Sequence, residues 1–442
     1  MSWVKGFGAV GDGKADDTAA IEHALKDGDG LLQFPRGKYR ISRTIEISLS
    51  AHGRLGIEGA CGTATIIMAG AGPTFRIVGS HRGTGDPLSV RPAVWNQRMP
   101  TIRNIEIVGR HPEADGIELI ETMQAVLEGV LIRQVRHGIR LHKRNRNVLI
   151  SHCHIYHNTG VGVFLDQVNL HQINIASSHI SYNRLGGIRI EGSEVRNLQI
   201  TGNDIEYNNF RAHKTPPTPT AEIYIDARAD TASVNEVTIA SNTIQATDSP
   251  GGANIRILES RDKSRPPGLI SITGNVIGSQ EHNVHLSGCY GVVLTGNTIY
   301  SCMKRNLLLE QCSQISLSGN HFRRHTPKYG TGVRIVDCSD IVLSGSVFCD
   351  ESEAGQQNGA SLLELDSCER ITVSACHFQG GVPYGIDLAN CSDILLNAVS
   401  IDESREKAAA KGSLRASGKG SGNQISGSRL YREPELSGES GF

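Results

Sequence analysis

From residue 138 to about residue 400, short stretches of the chain alternate aliphatic with variable residues: GIRL (138–141), GVFL (162–165), GIRI (187–190), EIYI (222–225), NIRI (254–257), NVHL (283–286), GVRI (332–335) and GIDL (385–388). A period of two marks strands with one buried face, and no repeat carries the 3.6-residue stripe of a helix. Between these strands recurs a second phrase, hydrophobic-(Ser/Thr)-Gly-Asn-x-hydrophobic. It reads ITGNDI (200–205), ITGNVI (272–277), LTGNTI (294–299) and LSGNHF (317–322), with IASNTI (239–244) close to it and IASSHI (175–180), LSGSVF (343–348) and VSACHF (373–378) as relaxed copies. A β-rich unit repeating every 22 to 30 or so residues predicts a solenoid, an all-β, single-stranded parallel β-helix of about ten to thirteen coils.

Stacked coils place equivalent residues about 4.8 Å apart, so each fixed position becomes a ladder along the axis. Asn203, Asn242, Asn275, Asn297 and Asn320 form one such ladder at a turn, each amide satisfying its neighbour and the backbone around it. Cys289, Cys312, Cys338, Cys368 and Cys391 occupy another position, three residues before the aliphatic start of the next strand. They are expected to be buried, reduced thiols, because parallel in-register Cβ vectors lie side by side and disfavour a disulfide. The ten cysteines include no CxxC or Cys/His zinc spacing, so no structural metal site is expected.

A solenoid must close its open ends. Residues 5–42 predict a strand, a Gly-rich turn, a helix from about Asp17 to Lys26 capped by Asp17 or Thr18, and a strand entered through Pro35-Arg36-Gly37. Ala20, Ile21, Ala24 and Leu25 would lie over the first rung as a lid. The run GAVGDGKADDTAAIEHAL (8–25) followed by FPRGKYRIS (34–42) resembles the N-terminal signature of the pectate-lyase-like superfamily, which holds polygalacturonase-type glycoside hydrolases and phage tailspikes. The resemblance implies a right-handed β-helix with an N-terminal capping helix. GNHFRR (319–324) is similar to the β-helical inulin fructotransferases. The expected organisation is a cap over 1–50, the β-helix over 51–403 with loop excursions at 80–100, 209–220 and 259–268, and a C-terminal cap or flexible tail over 404–442.

Composition narrows the partners. Fifty glycines, 5% aromatic and 20% charged residues and a net charge of −1 suit a turn-rich folded protein without the basic field that nucleic acid requires. No apolar run approaches a membrane span, and Met1 to Lys5 is not a signal peptide. Free cysteines together with that start favour the cytoplasm, a trimmed secreted protein being the alternative. Side-by-side association into a homotrimer is compatible with a solenoid of this size.

In register, the outward positions of the GIRL-type strands include Arg140, Arg189, Tyr224 and Arg256, followed two residues on by His142, Asp166, Glu191 and Asp226. Asp166, Glu191 and Asp226 thus fall on consecutive rungs. Neighbours would stand about 5 Å apart and the outer two about 9–10 Å apart, the spacings of retaining and inverting glycosidases. This predicts a glycoside hydrolase with those three as catalytic residues, a protonated Glu191 at the centre, and Arg140, His142, Arg189, Tyr224 and Arg256 binding a polysaccharide or oligosaccharide. Arg140, Arg189 and Arg256 would equally convert the carboxylates into a salt-bridged surface. A second outward line carries His154, His179 and Asp204, beside Tyr182 and Tyr207 for sugar stacking and Asn158, Asn183 and Asn208 for hydroxyl recognition. RHGI (136–139) resembles the GHG strand entry of polygalacturonases, but the adjacent Asp-Asp pair is missing, leaving His137 a bare candidate. A hydrolase of this kind needs no cofactor. Two other readings use the same residues: a lyase in which the three carboxylates hold Ca²⁺ against a uronate, and a non-catalytic carbohydrate-binding or tailspike-like protein.

Overall fold

The computed structural model describes residues 2–83, 86–209, 219–259, 264–325, 328–353, 359–405 and 409–442. It is a parallel β-solenoid of about 16 turns, more than the ten to thirteen expected. The surplus lies at the ends, where the visible repeat fades: Leu31–Phe34, Gly37–Ile41, Ile45–Ser48 and Gly56–Gly59 already form coils, and Gly412–Ser417 pairs in parallel with Tyr384–Ala389. The chain divides into two compact units, Met1–Pro216 with Ile223–Glu236, and Pro217–Glu222 with Val237–Phe442.

In the first unit the helix runs over Thr18–Asp27 and buries Ile21, Ala24 and Leu25, the lid anticipated from its stripe. Asp17 precedes it without capping it. Its carboxylate instead accepts the backbone N–H of Val10 at 2.6 Å and of Gly11 at 3.1 Å, tying the Gly-rich turn to the helix entrance. Long strands then stack in parallel, with Val163–Ala176 between Ile139–Ser151 on one side and Ile188–Glu191 and Glu194–Thr201 on the other. Asn158, Asn183 and Asn208 lie inside this stack, each at most 1% exposed. Nδ2 of Asn158 donates to Asn183 (2.8 Å), and Nδ2 of Asn183 donates to Asn208 (2.7 Å). They are an internal ladder, which corrects their assignment to hydroxyl recognition.

The second unit contains four of the five members of the anticipated amide ladder. Asn242 donates from N and Nδ2 to Oδ1 of Asn275, Asn275 does the same to Asn297, and Asn297 to Asn320, all at 2.9–3.1 Å. Phe322, Phe348 and Phe378 stack behind it with centroids 4.9 and 4.4 Å apart. All ten cysteines are free, and the five of the predicted ladder are no more than 3% exposed. Only Cys61 reaches solvent.

Of the three excursions, residues 84–85, 210–218 and 260–263 lie outside the described residues, as do 406–408 of the C-terminal segment. The described part of 80–100 folds down onto its coil. Val90 and Val94 bury themselves with Met123, Gln97 accepts the N–H of Ser80 at 2.9 Å, and Arg144 donates to the carbonyl of Gly83.

Candidate active site on the first unit

Strand pairing aligns His142, Asp166, Glu191 and Asp226 on four successive rungs, in the register read from the sequence. Two residues earlier on each strand runs the row Arg140, Phe164, Arg189 and Tyr224. Each carboxylate has its own guanidinium. Arg140 grips Asp166 from Nε (2.9 Å) and Nη2 (2.5 Å), while its Nη1 reaches Glu118 at 3.0 Å. Arg189 Nε meets Glu191 at 2.9 Å. Arg228, beyond the strand end, clasps Asp226 from Nε (2.9 Å) and Nη2 (2.6 Å).

The like-charge repulsion expected along the row is thus compensated rung by rung by guanidinium groups. Burial works against ionisation of Asp226, but the Arg228 side chain, its backbone N–H and the Tyr224 hydroxyl outweigh it and bring the carboxyl below its ordinary range. Among the described residues no three His, Cys, Asp or Glu side chains are grouped to hold a metal.

Several outward assignments change with burial. Tyr224 is 4% exposed, with its hydroxyl 3.2 Å from Asp226 and its ring 4.8 Å beneath the Arg189 guanidinium. Asp226 and Arg256 are each 7% exposed. All six residues of Ala221–Asp226 are buried, so alternation along that strand does not distinguish a wet face. Arg256, in the second unit, donates from Nη1 to the Gly251 carbonyl (2.7 Å) and from Nε to His285 (3.3 Å).

The second line holds together differently from its prediction. His154 and His179 stack at 5.0 Å, and His179 Nδ1 lies 3.2 Å from Asp204. His157, Tyr182 and Tyr207 stack at 4.9 and 5.4 Å, all with left-handed φ of 54–56°. Because each ring covers the next, the column turns ring edges outward, and no open face of Tyr182 lies against the neighbouring rungs for a sugar to stack on. His137 is tucked beneath Phe164, at 5.3 Å, and its Nδ1 accepts the N–H of Val161, with burial the main cause of its lowered pKa.

What remains on the reachable surface is His142, Phe164 and the outer part of Arg189. His142 is half-buried, and its Nδ1 lies 2.9 Å from the backbone carbonyl of Asp166. A carbonyl only accepts, so Nδ1 carries a proton, and in the neutral ring the Nε2 lone pair points away from the backbone. Arg189 spends only Nε on Glu191, which leaves both Nη groups without a hydrogen bond to the described residues. Half-buried Phe164 sits between Arg140 and Arg189. Phe164 stood among the outward positions of the sequence but showed no chemistry there, and Arg228 fell in a turn outside the repeat.

Comparison with known proteins gives partial matches. The chain is 40% identical over 86 residues to mannuronan C5-epimerase AlgE1 of Azotobacter vinelandii, covering 18% of this chain and 6% of that protein. It is 53% identical over 49 residues to alginate lyase 7 of the same organism, covering 10% and 6%. The chain therefore matches only a small part of the length of these curated relatives. Among solved structures, bacteriophage phi29 gene product 12 aligns with a TM-score of 0.59 at 14% identity, covering 97% of this chain and 56% of that one. Residues 93–245 and 221–398 match the family described as right handed beta helix region, which spans well over half of the sequence, and the chain belongs to that family.

Proposed function

We propose that the protein acts on an acidic polysaccharide, taking the proton next to a uronate carboxylate with His142 as base and Arg189 holding that carboxylate. The observation that carries this reading is the pairing of every carboxylate in the row with an arginine. Hydrolysis by paired carboxyls requires one of them to hold a proton for the leaving oxygen, and here each carboxyl of the row is engaged by a guanidinium group instead. Proton abstraction requires a neutral imidazole with an available lone pair and a cation to spread the charge of the enolate. His142 Nε2 and the Nη groups of Arg189 are the base and the cation that this reading uses.

In such a step the C5–H bond breaks, the proton passes to Nε2, and the electron pair enters the carboxyl group. Expulsion of the C4 oxygen, which takes a proton from water, then leaves a C4–C5 double bond, whereas return of a proton from water to the opposite face inverts C5, the proton on Nε2 passing to solvent. The names of the two Azotobacter relatives denote action on mannuronan and alginate and fit this chemistry.

The test is incubation with alginate, polygalacturonate and a panel of neutral glycans. An unsaturated, ultraviolet-absorbing product, or deuterium uptake at C5 from heavy water, supports the reading. New reducing ends without unsaturation on any of these substrates would return the carboxylates to a hydrolase.

A further inference from the structure

A groove of about 580 Å³ lies on another sheet face of the first unit, away from the row of paired carboxylates. Its corner column is an amide on four consecutive rungs: Gln124, Asn147, Gln172 and Asn197, all with left-handed φ between 52° and 68°. Two residues on, the strand column runs Val126, Leu149, Asn174 and Gln199. At the end of the groove Met99 is 60% exposed, and Leu149 is 45% exposed.

The fold does not ask for amides there. In the second unit the equivalent corner column reads Leu269, Gly291, Gln314, Asp340, Arg370 and Asp393, with Arg370 paired to Asp340 at 2.7 Å. Asparagine tolerates a left-handed φ, which accounts for Asn147 and Asn197. Glutamine has no such advantage, yet it occupies two of the four rungs. Inside the solenoid, stacked amides satisfy one another from rung to rung. On this face Asn147 accepts from Arg146 and Asn197 meets His171, but the amides of Gln124, Gln172, Asn174 and Gln199 make no hydrogen bond to the described residues.

We infer that this groove is a carbohydrate-binding site separate from the proposed active site, taking a stretch of glycan through its hydroxyl groups. Unpaired amides repeating every ~4.8 Å offer a donor and an acceptor to each successive hydroxyl of a repeating chain. The lining bears no formal charge, which matches hydroxyls rather than carboxylates. Leu149, Val126 and Met99 supply apolar surface for the C–H faces of sugar rings.

The experiment is calorimetric titration of the full chain with neutral hexasaccharides (cellohexaose, laminarihexaose, chitohexaose) and with an alginate hexasaccharide. Wild type is compared with the double variant Gln172→Ala/Asn174→Ala, with Gln172→Glu and with His142→Gln. Binding of at least one oligosaccharide is expected, weakened about tenfold or more by the double variant through two lost hydrogen bonds and retained by His142→Gln. Because both substituted side chains face solvent, the melting temperature should not move, and turnover of short uronate substrates should stay at the wild-type level. The proton-abstraction reading and this one therefore fail separately. The inference is overturned if no oligosaccharide binds wild type at millimolar concentration, or if neither Gln172→Ala/Asn174→Ala nor Gln172→Glu alters binding. It is overturned as well if wild type sediments as an oligomer that Gln172→Arg dissociates, since the face then belongs to a contact between copies.

Discussion

Replacing Asn275 by alanine tests whether buried amides hold the coils in register. Asn275 is 1% exposed and sits in the middle of its ladder. Its Oδ1 accepts from both N and Nδ2 of Asn242 at 3.0 Å, and its Nδ2 donates to the Ile239 carbonyl at 2.9 Å and to Oδ1 of Asn297 at 3.0 Å. Four hydrogen bonds at about 1 kcal/mol each would be lost, and the Asn242 N–H would lose its amide acceptor in a dry interior. The expected cost is roughly 3–5 kcal/mol, a large part of the ~5–15 kcal/mol that a folded domain has. Gln172→Ala deletes an amide of similar size from the surface and should stay within about 0.5 kcal/mol. Urea unfolding followed by far-ultraviolet circular dichroism compares the two. Solenoids lose stability locally, so amide hydrogen exchange across residues 239–297 locates the loss, which should be concentrated on the rungs of Asn242, Asn275 and Asn297. A cost below about 1 kcal/mol for Asn275→Ala would refute the reasoning, because the ladder would then be replaceable by water or by simple apolar packing.

His142→Gln should lower turnover of a uronate polymer by about 10²–10⁴-fold with the melting temperature unchanged. Glu191→Gln loses one half-exposed ion pair and should change stability by about 1 kcal/mol or less, with turnover within about tenfold of wild type; a loss of several orders of magnitude would reinstate the carboxylate mechanism. Native protein treated with a thiol reagent should take up one label per chain, at Cys61, since the other nine cysteines are buried and burial pushes Cys153 up to about 11. His81 and His282 are each held down at about 4, chiefly by burial and then by neighbouring positive groups. A histidine whose folded pKa lies below the unfolded value near 6.5 contributes stability above that pH and loses it as the pH falls toward about 4. The melting temperature should accordingly drop between pH 6.5 and 4, and it should drop less in His282→Gln.

The coils were legible because a solenoid writes its geometry in one dimension: a residue's partner sits one period away, so Asn242 and Asn275, or Asp166 and Glu191, are adjacent in space whenever the repeat is aligned. The number of turns was less legible. Near Leu31–Phe34 and Gly412–Ser417 the strands keep their pairing while losing the Asn-bearing turn by which copies were recognised. Exposure was misjudged for a related reason. Period two separates the two faces of a strand, but long side chains can cover the outer face, as Arg189 does at Tyr224 and Arg228 at Asp226.

The chemistry was harder to read than the fold because it is decided by contacts outside the repeat. Counting outward carboxylates and arginines on successive rungs gives the ladder and two of its partners but misses the third, because Arg228 reaches Asp226 from beyond the strand end. Stacked aromatics mislead similarly: spacing says that His157, Tyr182 and Tyr207 form a column, and only the interplanar angles of 14–19° say that the faces are already used. In a parallel solenoid any side chain repeated on consecutive rungs meets its own kind about 4.8 Å away and tends to be satisfied there. A functional group is therefore better sought where the repetition breaks. His142 stands in a row otherwise continued by carboxylates, and Phe164 stands between Arg140 and Arg189.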